Sequence, residues 1–371
     1  KDGTNRVCVD FRKLNRITEF DPTPMPTAED IFQKMSKAKY LTKLDLSKGY
    51  WQIPVAAKDI PKTAFVTPDG SYEFVKMPFG MMNSGATLAR AIRKLLDDLD
   101  EADNYVDDII IYTETWEQHL VVLDEVLSRL ASAGFTVRPT KCVLGADSIE
   151  VVGHRISDGT KALHEHNVVK IRHAKRPRTK KEVRAFLGLT GYYREFIPNY
   201  AAKAVPLSDL TKTGRPNQVV WSDAQEKAYN TLKAEIASSP ILRLPDNTEP
   251  FTLRTDASDK GLGAVLLQEH DGKLLPVSYA SRKLTEREKK YSTIERECLA
   301  VVWAVRKFLI YLYGVEFTLQ TDHQPLVYLK TAKFLNDRVM RWAMFLQNYR
   351  LKVESIKVVE NVGADYLSRV C

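Results

Sequence analysis

Four residues, Tyr105-Val106-Asp107-Asp108, constrain this chain more than any other stretch. They run directly into Ile109-Ile110-Ile111-Tyr112, an apolar run of strand character, so two adjacent carboxylates stand at the mouth of a strand that must be buried. The pair reads as the tip of a hairpin. Adjacent like charges at a tight turn are unfavourable unless cations sit between them. Taken alone, the same residues also read as an ordinary surface bend, where Asp is common. A second run narrows the choice. Leu44-Asp45-Leu46-Ser47-Lys48-Gly49-Tyr50 carries Asp45 at the end of another apolar strand. Were the two strands neighbours in one sheet, Asp45, Asp107 and Asp108 would share one edge. Phosphoryl transfer assisted by two Mg²⁺ ions about 4 Å apart needs a cluster of that kind.

The chain has 371 residues, 44% of them hydrophobic, which is too long for one ordinary core and predicts two or three compact units. Short β-rich runs are expected at Arg6–Asp10, Tyr40–Leu46, Tyr50–Val55, Ala64–Thr67 and Tyr72–Lys76, with a helix over Thr27–Lys34 after the prolines Pro22, Pro24 and Pro26. Helical spacing continues over Ala86–Leu99 and Glu117–Ala133, the latter closed by Gly134 in the C′ position. After Gly159 the character changes to helices, expected over Val168–Tyr193, Pro206–Leu210 and Asp223–Ile236. Between Lys170 and Arg184 there are eight Lys or Arg and one acid, Glu182. That run reads as a solvated helix face or as a surface turned toward a polyanion. The formal net charge of +8 favours a polyanionic partner.

A linker at Pro245–Pro250 precedes a third pattern: strands at Phe251–Thr255, Gly263–Leu267, Pro276–Ala280, Glu316–Thr321 and Arg350–Lys357. Helices are expected at Thr293–Leu309, Pro325–Leu329, Asp337–Leu346 and from Gly363 to Arg369. This is an α+β unit of about five strands. Four carboxylates fall on separate elements of it: Asp256 ending the first strand, Glu297 in the long helix, Asp322 ending the fourth strand and Asp365 opening the last helix. Such a set suits a two-metal phosphodiester hydrolase. Glu295 competes with Glu297. The two point about 200° apart on a helix, so only one faces a common site, and spacing alone leaves the choice open.

The four cysteines lie far apart with no CxxC pair, so a zinc ribbon or a disulfide framework is not indicated, and reduced thiols in an intracellular protein are expected. His164 and His166 form an HxH without further ligands at metal spacing. The longest apolar stretches, such as Leu299–Val305, are far short of a membrane span. The chain opens on Lys1-Asp2-Gly3, with neither Met nor a signal peptide, and is read as a fragment.

The ordered set Arg6-Val7-Cys8-Val9-Asp10-Phe11-Arg12-Lys13-Leu14-Asn15, the run from Leu44 to Ile53, Met77-Pro78-Phe79-Gly80-Met81, Tyr105–Asp108, Lys141-Cys142 and Gly153-His154 resembles the reverse transcriptases of gypsy-type LTR retrotransposons, and more distantly the retroviral enzymes. The segment Phe186–Pro198 is similar to that family's thumb, with its aromatics expected in helix packing. The last third resembles ribonuclease H. The resemblance implies a right-hand polymerase of fingers and palm (1–158), a helical thumb and connecting region (159–245), and a ribonuclease H domain (246–371).

It also implies roles. Asp45, Asp107 and Asp108 would be the catalytic metal carboxylates of the polymerase. Lys1 and Arg6 would contact the incoming triphosphate, Leu46 would line the nucleotide site, and Tyr50 would exclude a ribose 2′-hydroxyl. Phe79 and Gly80 would border nucleotide and template. Asp256, Glu297, Asp322 and Asp365 would form the nuclease tetrad; here the resemblance favours Glu297 over Glu295. Two Mg²⁺ ions per site are implied, with Mn²⁺ able to substitute. The implied partners are an RNA template, a DNA primer, RNA–DNA hybrid and deoxynucleoside triphosphates, with protease and integrase as neighbouring polyprotein domains, a dimer left open, no membrane, and cytoplasmic particles as the setting. The implied function is RNA- and DNA-directed DNA synthesis with degradation of the RNA strand of hybrids. The alternative is a degenerate or domesticated copy that binds nucleic acid without catalysis.

The chain departs from the family pattern in three places. Asn83-Ser84-Gly85-Ala86-Thr87-Leu88-Ala89-Arg90 stands where an aromatic and a Gln are usual. Asp100–Asn104 is polar where an apolar strand is usual, and so is expected to pack poorly. No His lies between His323 and Asp365.

Overall fold

The computed structural model describes residues 8–238, 240–322 and 337–356. Two compact units emerge, Lys1–Val152 with Ile156–Gly159, and Gly153–Arg155 with Thr160–Cys371. Among the described residues no helix is long and apolar enough to cross a membrane.

The first unit begins with α1 (Arg12–Asn15), α2 (Ala28–Lys34) and β1 (Tyr40–Asp45). Thr27 and Asp30 form a reciprocal capping box at the start of α2. A small hairpin, β2 (Phe65–Thr67) with β3 (Gly70–Tyr72), comes next, followed by α3 (Ser84–Leu96), β4 (Ala102–Tyr105), β5 (Asp108–Thr113) and α4 (Trp116–Ser132). The sheet order is β4-β5-β1-β6, where β6 is Val143–Ala146. Leu44, Leu88, Ile92, Ile109, Ile111, Val122, Val126 and Leu130 form one core, so α3 and α4 pack their apolar stripes on the sheet. Helix α4 ends in a Schellman motif. Gly134 sits at φ 76, its amide donates to Ala131, and that of Phe135 donates to Leu130.

Four expectations fail here. Cys8–Asp10 is not strand, and the strand expected at Tyr72–Lys76 stops at Tyr72. The run expected as strand at Tyr50–Val55 instead begins with a 3₁₀ turn, Gly49–Gln52, entered through Lys48 at φ 52. Gly49 is closely packed at its start: a Cβ there would lie 3.2 Å from Leu88 Cδ2. The polar stretch before Asp107 does pack. Ala102 and Asn104 of β4 are buried, and the backbone pairs with β5.

Strands β7 (Ser148–Val151) and β8 (His154–Ser157) lead to the second unit, which opens with β9 (Thr160–Leu163) and α5 (Glu165–Arg172). The single helix expected over Val168–Tyr193 is two. Pro177 cannot continue α5, and Thr179 caps a new helix, α6 (Lys180–Tyr192), by accepting from the Glu182 amide while Glu182 accepts from the Arg178 amide. Next come α7 (Tyr200–Leu210), α8 (Asp223–Ala237) and β10 (Leu242–Arg243), which pairs antiparallel with β9. Phe186, Tyr193 and Phe196 are buried in this helical core, as expected, whereas Tyr192 is exposed.

The remaining strands are β11 (Phe251–Ala257), β12 (Gly261–His270), β13 (Lys273–Lys283), β14 (Glu316–Thr321) and β15 (Arg350–Ser355), in the order β13-β12-β11-β14-β15. The first three form an antiparallel meander; β14 and β15 add in parallel. Helices α9 (Thr293–Lys307), α10 (Leu309–Leu312) and α11 (Asp337–Leu346) complete the unit. Val301, Val302, Val305 and Phe308 pack with Phe251, Leu253, Phe317 and Leu319 of β11 and β14. The register slips between Leu266 and Leu267, opposite Pro276, which has no amide to give the ladder. The helices expected at Pro325–Leu329 and Gly363–Arg369 lie outside the described residues.

Candidate active sites

In the first unit the sheet itself assembles the site. Strands β1 and β5 are antiparallel with Asp45 opposite Asp108. Tyr105 pairs with Asp108, so Val106 and Asp107 alone form the turn of the β4–β5 hairpin. Val106 has φ 59, a rare conformation for a β-branched residue. The three carboxylates predicted from sequence therefore share one sheet edge. Asp108 is half-buried, and burial raises its pKa above the ordinary value. The Lys43 ammonium, 2.7 Å away, opposes that shift, and the charges of Asp107 and Asp45 add to it. Lys141 stands 3.3 Å from Asp45, and the Asp45 carbonyl accepts from the Arg138 amide at 2.7 Å. Lys43 was not legible as a site residue; its place on β1, two residues before Asp45, was the available signal.

Around this edge, Tyr50 packs edge-on to Phe79 with ring centroids 5.1 Å apart. Burial raises the Tyr50 phenol's pKa, with the Asp107 charge adding to it. Gly80, at φ 92, is pinned from the family-like run at the start of the chain. Asn15 Nδ2 donates to its carbonyl at 2.8 Å, and Asn15 Oδ1 accepts from the Met82 backbone amide at 2.8 Å. The Leu46 side chain is buried in the core, and its backbone forms an antiparallel β-bridge with Val137. In the altered run, Asn83 ties down the main chain at Glu19 and Asp21, Arg90 pairs with Asp21 at 2.5 Å, and Leu88 and Ala89 are buried. Lys1 and Arg6 lie outside the described residues.

In the second unit Asp256 ends β11, Asp322 follows β14, its parallel neighbour, and Glu297 points from α9. Glu297 is buried, and its carboxyl is pushed up to about 9, first by burial and then by the charges of Asp256 and Asp322. The Ala257 amide donates to it, which partly offsets the rise, while Glu297 Oε2 has no hydrogen-bond partner among the described residues. Glu295 is engaged elsewhere. It closes a capping box with Ser292, whose amide donates to Oε2 at 2.9 Å, and its Oε1 pairs with Arg338 at 2.8 Å. The Ser292-x-x-Glu295 spacing was the sequence signal that separates the two glutamates. Asp365 lies outside the described residues.

Among the described residues no three Asp, Glu, His or Cys side chains are gathered closely enough to hold a metal ion. What each site offers is a set of hard oxygen donors crowded by like charge: Asp45, Asp107 and Asp108 with lysines as counter-charges, and Asp256, Glu297 and Asp322 with one buried oxygen that has no partner among the described residues. Such donor sets suit a hard divalent cation.

A groove of ≈ 1230 Å³ in the second unit is lined by Lys175, Arg176, Arg178, Phe186 and Trp221. The Arg176 guanidinium lies over the Trp221 ring at 4.6 Å.

Residues 1–156 match the family described as reverse transcriptase (RNA-dependent DNA polymerase), and residues 246–349 match the RNase H-like domain found in reverse transcriptase. The retrovirus-related Pol polyprotein from transposon 297 of Drosophila melanogaster is 41% identical over 98% of this chain and 34% of its own length. That from transposon gypsy of the same organism is 39% identical over 98% of this chain and 36% of its own. The chain thus spans about a third of the curated relatives it matches. The foamy viral protease-reverse transcriptase in complex with RNA/DNA hybrid matches with a TM-score of 0.79 and 26% identity, covering 94% of this chain and 48% of that one.

Proposed function

The chain belongs to the reverse transcriptase and RNase H family of LTR-retrotransposon Pol polyproteins, and from that premise we propose that it copies RNA, and then DNA, into DNA while degrading the RNA strand of the hybrid. Its fold is a reverse transcriptase domain followed by an RNase H-like domain. The observation that carries the polymerase reading is the register Asp45 opposite Asp108, with the two-residue turn holding Asp107 beside them.

In this reading residues 1–158 are fingers and palm, 159–245 thumb and connection, and 246–371 the nuclease. Asp45, Asp107 and Asp108 would hold two Mg²⁺ ions, or Mn²⁺ in their place, and Asp256, Glu297, Asp322 and Asp365 would hold two more. When bound, such ions lower the pKa of the attacking hydroxyl or water and stabilise the leaving oxygen. The protein's own residues do the rest. Lys1 and Arg6 bind the triphosphate, Tyr50 backed by Phe79 selects deoxyribose, and Phe79 with Gly80 borders the templating base. Glu297, which favours its proton without a cation, would give it up on loading. The foamy viral relative's hybrid complex supports an RNA–DNA hybrid as partner. Flanking protease and integrase domains, a dimer and assembly in cytoplasmic particles belong to the same reading.

The test is DNA-primer extension on a labelled RNA template with Mg²⁺. The parent chain extends the primer and shortens the template. Asp107→Asn abolishes extension and spares cleavage; Asp256→Asn does the reverse. Extension near the parent rate by Asp107→Asn sinks the polymerase assignment, and retained cleavage by Asp256→Asn sinks that of the nuclease. Neither activity in a folded parent that binds hybrid would favour a degenerate copy.

A further inference from the structure

We infer that Asn104 is a positioning residue for DNA synthesis: its side-chain amide ties the strained turn carrying Asp107 to the main chain of α3. The inference rests on the polymerase reading above.

Val106 and Asp107 are the only residues between the paired positions Tyr105 and Asp108. Val106 at φ 59 occupies backbone space that a β-branched residue holds only when its surroundings fix it there. Asn104 supplies such a fixture. It is fully buried, and its Nδ2 donates to the carbonyl of Val106 at 3.3 Å and to the carbonyl of Ala89 in α3 at 3.3 Å. Both partners are acceptors only, so the amide's orientation is settled by them. The Val106 carbonyl and the Asp107 amide belong to one planar peptide unit, so holding that carbonyl sets the direction in which the chain enters Asp107.

Stability alone does not explain this residue. Its Oδ1 is buried with no hydrogen-bond partner among the described residues. An apolar side chain of similar volume would fill the place without stranding an acceptor. What an apolar residue lacks is a donor for the Val106 carbonyl. Two of the three departures from the family pattern meet here, since the polar strand before Asp107 reaches the altered run through the Ala89 carbonyl.

The test uses the full 371-residue chain and two variants, Asn104→Val and Asn104→Asp, the second keeping shape while replacing the donor. Asn104→Val is expected to melt at or above the parent temperature and to cleave hybrid at the parent rate. Its kcat for extension falls roughly ten- to hundredfold, with the KM for the incoming nucleotide little changed, because the loss lies in the arrangement of the reacting groups. Asn104→Asp loses extension at least as far. Extension by either variant at the parent rate overturns the inference, and so does a joint fall in melting temperature, cleavage and extension in Asn104→Val, which would mark Asn104 as ordinary core. A parent that cleaves hybrid and never extends a primer overturns the polymerase reading, and this inference with it; extension by parent and variants alike overturns the inference alone.

Discussion

Glu297 shows how far one side chain can be pushed by its neighbours. Its carboxyl, ordinarily near 4.5, rises to about 9 through burial and the charges of Asp256 and Asp322. Between those two values the folded chain keeps a proton that the unfolded chain has released. Stability from this group therefore stands in full below pH 4.5 and drains away as pH climbs toward 9. In metal-free buffer Glu297→Gln is expected to match the parent at pH 4.5 and to melt progressively higher than it as pH rises, by roughly 2–4 °C for each kcal/mol recovered. A difference in melting temperature that stays constant with pH would show that the proton is not the cause. The sequence disclosed this carboxylate's chemistry only in part. Helical angle alone left Glu295 and Glu297 level, and the capping spacing from Ser292 went unread; the bond pattern makes the distinction, with Glu295 spent on the Ser292 amide and Arg338 while Glu297 Oε2 has no partner among the described residues. Lys43 stayed hidden for a related reason, because a lysine inside a strand says nothing of which face it takes until the pairing partner is known.

Elements were legible where local rules act alone. Asp337–Leu346, Glu316–Thr321 and the Gly134 stop follow from periodicity and capping, and the structure has them at the expected places. They were misread at Gly49, whose β-prone successors form a 3₁₀ turn entered through Lys48 in the left-handed region. Pro177 was a missed local signal: its ring and the Thr179 cap divide one apparent helix into two. The start of α9 offers a quantitative check. Ser292 accepts from the Glu295 amide at 3.3 Å as half of the capping box. Ser292→Ala should cost about 1 kcal/mol and lower the melting temperature of the second unit, while hybrid cleavage at 25 °C is unaffected. Calorimetry decides this, and an unchanged melt would show that the Ser292 amide–Glu295 bond and the Glu295–Arg338 ion pair hold the helix start without the serine hydroxyl.

At the scale of the whole molecule the net charge of +8 points to a polyanion, and the cations of residues 170–184 offer a place for it. Hybrid affinity should fall steeply with salt, and the double variant Lys175→Gln, Arg178→Gln should flatten the log–log slope by about 2, one for each phosphate contact removed. An unaltered slope, measured by fluorescence anisotropy across a salt series, would return the run to a plain solvated face. The parallel neighbours β11 and β14 carry a different kind of consequence. Arg254 and Gln320 sit side by side at a sequence separation of 66. The meander and α9 all lie between them, so the edge bearing Asp256 and Asp322 closes only after that whole stretch has been laid down. Pairings of such long range form slowly, and during synthesis the N-terminal parts emerge first. A growing chain therefore exposes Asp256, then Glu297, and only afterwards Asp322, so these three carboxylates meet late, once the last of the paired strands has emerged.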